Sequence, residues 1–200
     1  QLGDQGYEGA TVLEAQKGAY YKPITALDFE ALYPSIMMAH NLCYSSLVMD
    51  PKYENVPGVE YETFVIPVPS KVEGQPPTKR VCKFAQGVPT LLPSILLELK
   101  QFRKQAKKDM AASTGALKAM YNGKQLAYKI SMNSVYGFTG ASKGMLPCVN
   151  IASTVTTKGR SMIDETKEYV EKNFPGAKVR YGDSVTPDTP LLIRQNGEVR

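Results

Sequence analysis

Histidine and cysteine are scarce in this sequence, and their scarcity narrows the chemistry it can support. His40 is the single histidine among 200 residues, which argues against a histidine-rich metal centre and against a Ser-His-Asp triad. Cys43, Cys82 and Cys148 lie far apart with no Cys-x-x-Cys spacing. Neither a disulfide framework nor a zinc site is suggested, and an intracellular, reducing compartment is expected. No apolar run approaches the roughly 18 residues of a membrane span, so no membrane partner is expected. The N-terminus, QLGDQGYEGATV, lacks the charged-then-apolar order of a signal peptide, and it opens on Gln rather than Met, as an internal fragment would. With 42% hydrophobic and 22% charged residues the chain is globular in composition. Any metal chemistry must fall to carboxylates and hard cations.

The formal charge of +5 is unevenly spread. Between Lys71 and Met110 nine basic residues face three acidic ones, a local net of +6. A solvated helix face and a polyanionic partner both fit that pattern, and composition does not choose between them.

The order of elements reads as α+β. Residues 1–20 form a loop or ragged strand. YKPITALDF (21–29) predicts a strand entering the core, and SIMMAHNL a helix beginning at Pro34. From 50 to 89 prolines and glycines mark a strand-and-turn region, with YETFVIPV its clearest strand. Leu91 to Met110 predicts a helix whose stripe is Leu92, Ile95, Leu99, Phe102, Ala106 and Met110. A second helix is expected from about Ala116 to Val135, with a possible kink at Asn122-Gly123, closing an antiparallel hairpin that ends at Gly137 and Gly140. A third runs from about Ile151 to Asn173 and stops at Pro175-Gly176. AKVRYGD then predicts a short strand and turn.

Few residues here carry chemistry. Asp28 closes a strand just before a helix start, where a carboxylate beside outward-pointing N–H groups can hold a divalent cation on a phosphate; a helix-capping role is the alternative. Gln125, Lys129, Asn133 and Tyr136 share one face of the second helix, and Arg103 and Lys107 lie four apart on the first. Facing each other, these cations would clamp a polyphosphate; ordinary surface charge is the alternative for either helix alone. Tyr181-Gly182-Asp183 puts a second carboxylate at a strand end. Two such carboxylates, meeting in space, are what two-metal phosphoryl transfer requires.

Three of these pieces, in this order, resemble family B DNA polymerases. DFEALYPSIMMAHNLCYSSL is similar to the first palm motif, KQLAYKISMNSVYGFTGA to the fingers motif Lys-xxx-Asn-Ser-x-Tyr-Gly, and VRYGD to the start of Tyr-Gly-Asp-Thr-Asp-Ser. YEGATV and GMLPC also fit the delta-like branch, and IMMAHNLCYSSL looks like eukaryotic delta-type enzymes and large DNA viruses of eukaryotes. The resemblance covers residues 7–183. It implies a palm, an antiparallel sheet with helices, in residues 1–85 and 140–183, interrupted by an antiparallel two-helix fingers insertion at 86–139. The implied activity is template-directed addition of dNMP to a primer 3′-OH, with primer-template DNA and dNTP as partners. Two Mg²⁺ ions are the implied cofactors, and a sliding clamp and replication accessory proteins are possible further partners. Residue by residue, Asp28 and Asp183 resemble the metal-binding catalytic aspartates, with the Phe29 carbonyl a further ligand. Tyr33 resembles the ring that packs under the deoxyribose. Arg103, Lys107, Lys129 and Asn133 resemble the fingers residues at the triphosphate, and Tyr136 and Gly137 those at the nascent base pair. Glu30 and Ala31 stand where Ala-Ser is more usual; the contacts implied there run through backbone N–H.

The pattern breaks after Asp183. The family continues Thr-Asp-Ser and an apolar strand, whereas this chain reads SVTPDTPLLIRQNGEVR. That segment resembles the opening block of Hint-type inteins, with Ser184 as the splicing nucleophile and residues 184–200 as the first strands of the insertion. A small deletion or a divergent surface turn are the alternatives. A rival reading of the whole chain is a non-catalytic DNA-binding module, dead because the second aspartate of the motif is missing.

Overall fold

A computed structural model describes residues 9, 12–21, 23–70, 76–141 and 146–183, together with the backbone of 191–194. Among the described residues the fold is α+β, with two small antiparallel sheets, four α-helices and one 3-10 turn. The first strand, β1 (Ile24–Leu27), is shorter than the nine residues expected. Pro23, which has no N–H to give a ladder, stands immediately before it. Helix α1 (Leu32–Ala39) starts two residues ahead of Pro34. The proline therefore sits in the first turn, where its missing N–H costs nothing.

The proline-rich middle folds as one long hairpin, β2 (Glu60–Val68) with β3 (Thr78–Gln86), in register from Glu60↔Gln86 to Val68↔Thr78. Alternation sets its two faces. Ile66, Cys82 and Phe84 are buried, while Val65 and its cross-strand partner Val81 face solvent. His40, just past α1, ties the hairpin to that helix: its Nδ1 lies 2.8 Å from the Glu62 carboxylate, and its ring meets Phe64 edge-on.

Helices α2 (Leu91–Ala111) and α3 (Gly115–Gly140) form the expected antiparallel pair. Two details differ from the sequence pattern. Leu96 is fully buried, whereas Ile95 and Phe102 are 36% and 47% exposed. LLPSILLEL offers apolar residues on nearly every face, so packing and not periodicity chooses the stripe. Helix α3 also runs unbroken through Asn122-Gly123 and on past Val135 to Gly140. Its last turn is fastened by Thr139, 1% exposed, whose hydroxyl donates to the Tyr136 carbonyl and whose own carbonyl accepts from Cys148 N–H at 2.9 Å.

Helix α4 (Val149–Asn173) spans two apolar clusters. Ile151 and Val155 join α1, the β2–β3 hairpin, Leu96 and Met132 in the larger one. Ile163 and Val170 pack with Ala177 and Val179 in the smaller. Phe29 packs against both, so the residue following Asp28 locks the strand end in place. Helix α1 sits at the junction, touching α2, α3 and α4. Among the described residues no helix is long and apolar enough to cross a membrane.

The second sheet has the order β1, β5 (Leu191–Arg194), β4 (Lys178–Tyr181). β5 is antiparallel to both neighbours, which makes β1 and β4 parallel to each other. Beyond β4, residues 12–16 add backbone contacts: Leu13 N–H donates to the Gly182 carbonyl, Gln16 N–H to that of Arg180, and Val12 bridges Asp183.

Candidate active site

The sheet register brings the two candidate carboxylates to one edge. Leu192 pairs with Ala26 on one side and Tyr181 on the other. Asp28 lies two residues beyond Ala26 and Asp183 two beyond Tyr181, on parallel strands. Both therefore leave the sheet at the same level of the same edge. Two inter-strand steps separate their strands, roughly 10 Å. Asp28 is exposed and Asp183 half-buried. Asp183 accepts a hydrogen bond from the Tyr181 hydroxyl at 3.1 Å. Desolvation and that bond to Asp183 hold the Tyr181 phenol above its ordinary value, keeping it a donor. Among the described residues no group of three His, Cys, Asp or Glu side chains could cage a metal. Two carboxylates suffice for a hard dication only when substrate oxygens complete the shell.

Between Asp28 and α1 the chain makes a tight, strained turn. Ala31 is left-handed, with φ 48°, a conformation costing a residue with a Cβ roughly 1–2 kcal/mol. Ser35 stabilises the turn from inside the helix. Its N–H donates to the Ala31 carbonyl and its hydroxyl to that of Glu30, both at 2.9 Å. The result is a helix N-terminus, with its unpaired N–H groups, opening directly after the strand-end carboxylate. Tyr33, on the first turn, is 6% exposed. Its ring lies 4.6 Å from that of Tyr136 on α3. Two residues that sequence spacing could not relate, one from each resembling motif, are thus in contact.

The hairpin supplies the cations. Arg103 Nε donates to the Gln125 side chain at 3.4 Å, and Gln125 in turn donates to Asn122 at 3.0 Å. Arg103 is thus paired across the hairpin one turn nearer its tip than Lys129. Phe102 stacks against Tyr128 beside it. Lys129 and Asn133 are half-buried on the same helix face. Gly137 follows Tyr136, and a Cβ built there would meet nothing within 4 Å. Among the described residues nothing packed there requires a glycine at that position.

Two residues of this region were missed by sequence reasoning. Glu30, discounted because only its backbone was expected to act, places a carboxylate oxygen 3.8 Å from Lys107 Nζ. A carboxylate in place of a small residue was the signal. Gly159, inside α4, is the other. A glycine at a helix interior costs stability and asks for a packing reason, and here the reason is the Tyr33 ring. Ser184 lies outside the described residues, as do 142–145, Lys71 and Glu73 and most of the intein-like segment. Of that segment only the backbone of 191–194 is described. A cleft along β4, between Leu13–Gln16 and Lys167, includes neither Asp28 nor Asp183.

Comparison with known proteins adds the family. The model described as DNA polymerase family B matches residues 1–191. The chain is 47% identical over 192 residues to a DNA polymerase of Paramecium bursaria Chlorella virus NY2A, covering 90% of this chain and 20% of that protein. It is 48% identical over 191 residues to the DNA polymerase delta catalytic subunit of Caenorhabditis elegans, and 49% over 194 residues to that of Arabidopsis thaliana. Each of these two matches covers 90% of this chain and 16% of the relative. The chain thus spans between about one sixth and one fifth of the relatives it matches.

Proposed function

This chain belongs to DNA polymerase family B, and from that premise we propose that it forms the palm and fingers of a replicative DNA polymerase. Residues 1–85 and 140–183 are the palm, and 86–139 the fingers. The reaction is attack of a primer 3′-OH on the α-phosphate of a dNTP, with pyrophosphate leaving, on a DNA template. The observation that carries this reading is the shared sheet edge: Asp28 and Asp183 level with each other on parallel strands, next to a helix N-terminus.

In this reading Asp28, Asp183 and the Phe29 carbonyl would hold two Mg²⁺ ions together with oxygens of the triphosphate. Bound there, they would supply a lowered pKa for the attacking hydroxyl and compensation of charge on the leaving pyrophosphate. The chain's own groups do the rest. Arg103 and Lys107 on α2, with Lys129 on α3, neutralise the phosphates, and Asn133 supports them on the same face. The N–H groups from Phe29 to Tyr33 give directional donors that need no reorganisation. Tyr33, braced by Tyr136, packs under the deoxyribose and leaves no room for a 2′-hydroxyl. The open space at Gly137 suits close approach of a base pair. A clamp and accessory proteins are expected partners of a replicative enzyme, in a reducing intracellular compartment.

The segment from Ser184 is the beginning of an intein. Its hydroxyl attacks the Asp183 carbonyl, exchanging the amide for an ester, and splicing replaces Asp183–Ser184 by Asp183–Thr. Before splicing LLIR lies between β1 and β4, the place we assign to the apolar strand after Thr-Asp-Ser once the intein has left. The missing second aspartate is what favours the rival reading, a DNA-binding module without catalysis. Primer extension by the full-length spliced protein tests the reading. Asp28→Ala should lose more than tenfold in rate with Mg²⁺; activity within tenfold of the parent would refute it. Ser184→Ala in the full-length gene should accumulate unspliced precursor, and normal-sized active enzyme from it would remove the intein.

A further inference from the structure

Gly159 lies ten residues into α4, buried, and far in sequence from every motif that carries the site. A Cβ built on it would stand 3.0 Å from Tyr33 Cε1, 3.7 Å from Cδ1 and 3.8 Å from Ile36 Cδ1. The last two are ordinary contacts. The first is well inside the 3.5–4.0 Å at which carbon atoms rest against each other, so a methyl group there would have to push the ring away from α4. The ring has little room to move: it is 6% exposed and already lies 4.6 Å from the Tyr136 ring, tilted by 52°. Tyr33 is held between a bare stretch of α4 backbone on one side and an aromatic of α3 on another. Gly137, by contrast, has only open space where its side chain would be.

We propose that Gly159 is a positioning residue for sugar discrimination: its missing side chain sets how far the Tyr33 ring reaches toward the nucleotide. This rests on the reading of Tyr33 as the ring beneath the deoxyribose. A methyl at 159 moves the ring by a few tenths of an ångström away from α4 and into the sugar's space. Both nucleotides then bind less well, and the ribonucleotide, with its extra hydroxyl, loses more.

The test is a double-variant cycle in the full-length polymerase, reading kcat/KM for each rNTP relative to its dNTP. Tyr33→Leu keeps the inner part of the side chain and removes Cε1. Gly159→Ala alone should raise the dNTP KM and lower the rNTP:dNTP ratio at least threefold. On the Tyr33→Leu background the same change should leave the ratio where Tyr33→Leu alone puts it. Melting gives a readout independent of activity. An alanine replacing a helical glycine ordinarily stabilises, so a lower Tm for Gly159→Ala, reversed on the Tyr33→Leu background, marks the clash. Should Gly159→Ala fail to fold, the double variant is still expected as folded protein, and its failure overturns the proposal. An unchanged ratio for Tyr33→Leu removes the gate reading itself. A changed ratio for Tyr33→Leu with an unchanged or raised one for Gly159→Ala overturns the proposal while leaving the gate in place. An equal effect of Gly159→Ala on both backgrounds overturns it as well.

Discussion

The region around α1 and the outer part of the α2–α3 hairpin are held by different forces. Around α1, Ile36, Met37, Phe84, Ile151 and Val155 are at most 2% exposed and come from three separate parts of the chain. From residue 100 to 130 of the hairpin only Ala106 and Gln125 are buried. The connections there are polar or at the surface: Arg103 to Gln125, Phe102 against Tyr128, and Lys107 reaching to Glu30. One region is fixed by burial and the other is an exposed cationic arm rooted in the first through Leu96 and Met132. A site made from both would place Tyr33 on the buried part and the cations proposed to hold phosphate on the part with fewer buried contacts. Such regions open locally at lower free energy.

Substitutions can break or sharpen that contrast. The largest effect belongs to the core: Phe84→Ala should cost about 3–5 kcal/mol. Within α3 the division falls between near neighbours. Met132→Ala should cost about 2–5 kcal/mol and Ile130→Ala, 65% exposed, within about 0.5 kcal/mol. Urea midpoints measure both, and equal losses would mean that the hairpin is not the less buried region. Next comes charge on the arm. Lys129→Ala should raise KM for dNTP and lower kcat, since an ammonium on the phosphates acts in ground and transition states alike. Lys118→Ala, exposed on another part of the same helix, should leave both nearly unchanged. The two lysines lie about three turns apart on one face, so equal effects would show that the phosphate-binding stretch is wrongly placed along the helix.

Smaller still is the Glu30–Lys107 pair. At 3.8 Å between side chains 70% and 46% exposed, it is worth at most about 1 kcal/mol. Glu30→Gln should leave the melting temperature almost unaltered while freeing Lys107 for phosphate, so a modest fall in dNTP KM is expected; a rise would mean that Glu30 assists binding. The smallest effect is alkaline. Burial raises the thiol pKa of Cys82 and of Cys148 above 9.0. Thiols with a raised folded-state pKa contribute stability that is complete below pH 9 and lost as pH climbs through the folded values. Cys82→Ala should flatten the loss of stability above pH 9, as followed by thermal melting at stepped pH.

Much of this architecture was legible in the sequence because its signals are local. The α2–α3 hairpin, the long α4 and the strand ends at Asp28 and Asp183 follow from periodicity, turn residues and Pro-Gly stops. What was not legible is tertiary. Leu96 in place of Ile95 could not be chosen from a segment apolar on every face. The extension of α3 through Gly137 depends on Thr139, which is anchored by Cys148 from beyond the helix. Tyr33 meeting Tyr136, and Gly159 giving way to Tyr33, join residues more than 100 positions apart. Such contacts leave at most an odd glycine as their trace. The level placement of Asp28 and Asp183 likewise needs the register of β5 between their strands.

That placement is the centre of the account, and a cycle of Asp28→Ala, Asp183→Ala and the double variant in the full-length protein tests it most directly, by single-turnover primer extension with Mg²⁺. Two carboxylates serving one site act as a unit, so their losses do not multiply. The account predicts that each single change abolishes most of the rate and that the double variant is no slower than the worse single one. Losses that multiply in the double variant, or a single variant that retains full rate, would contradict it.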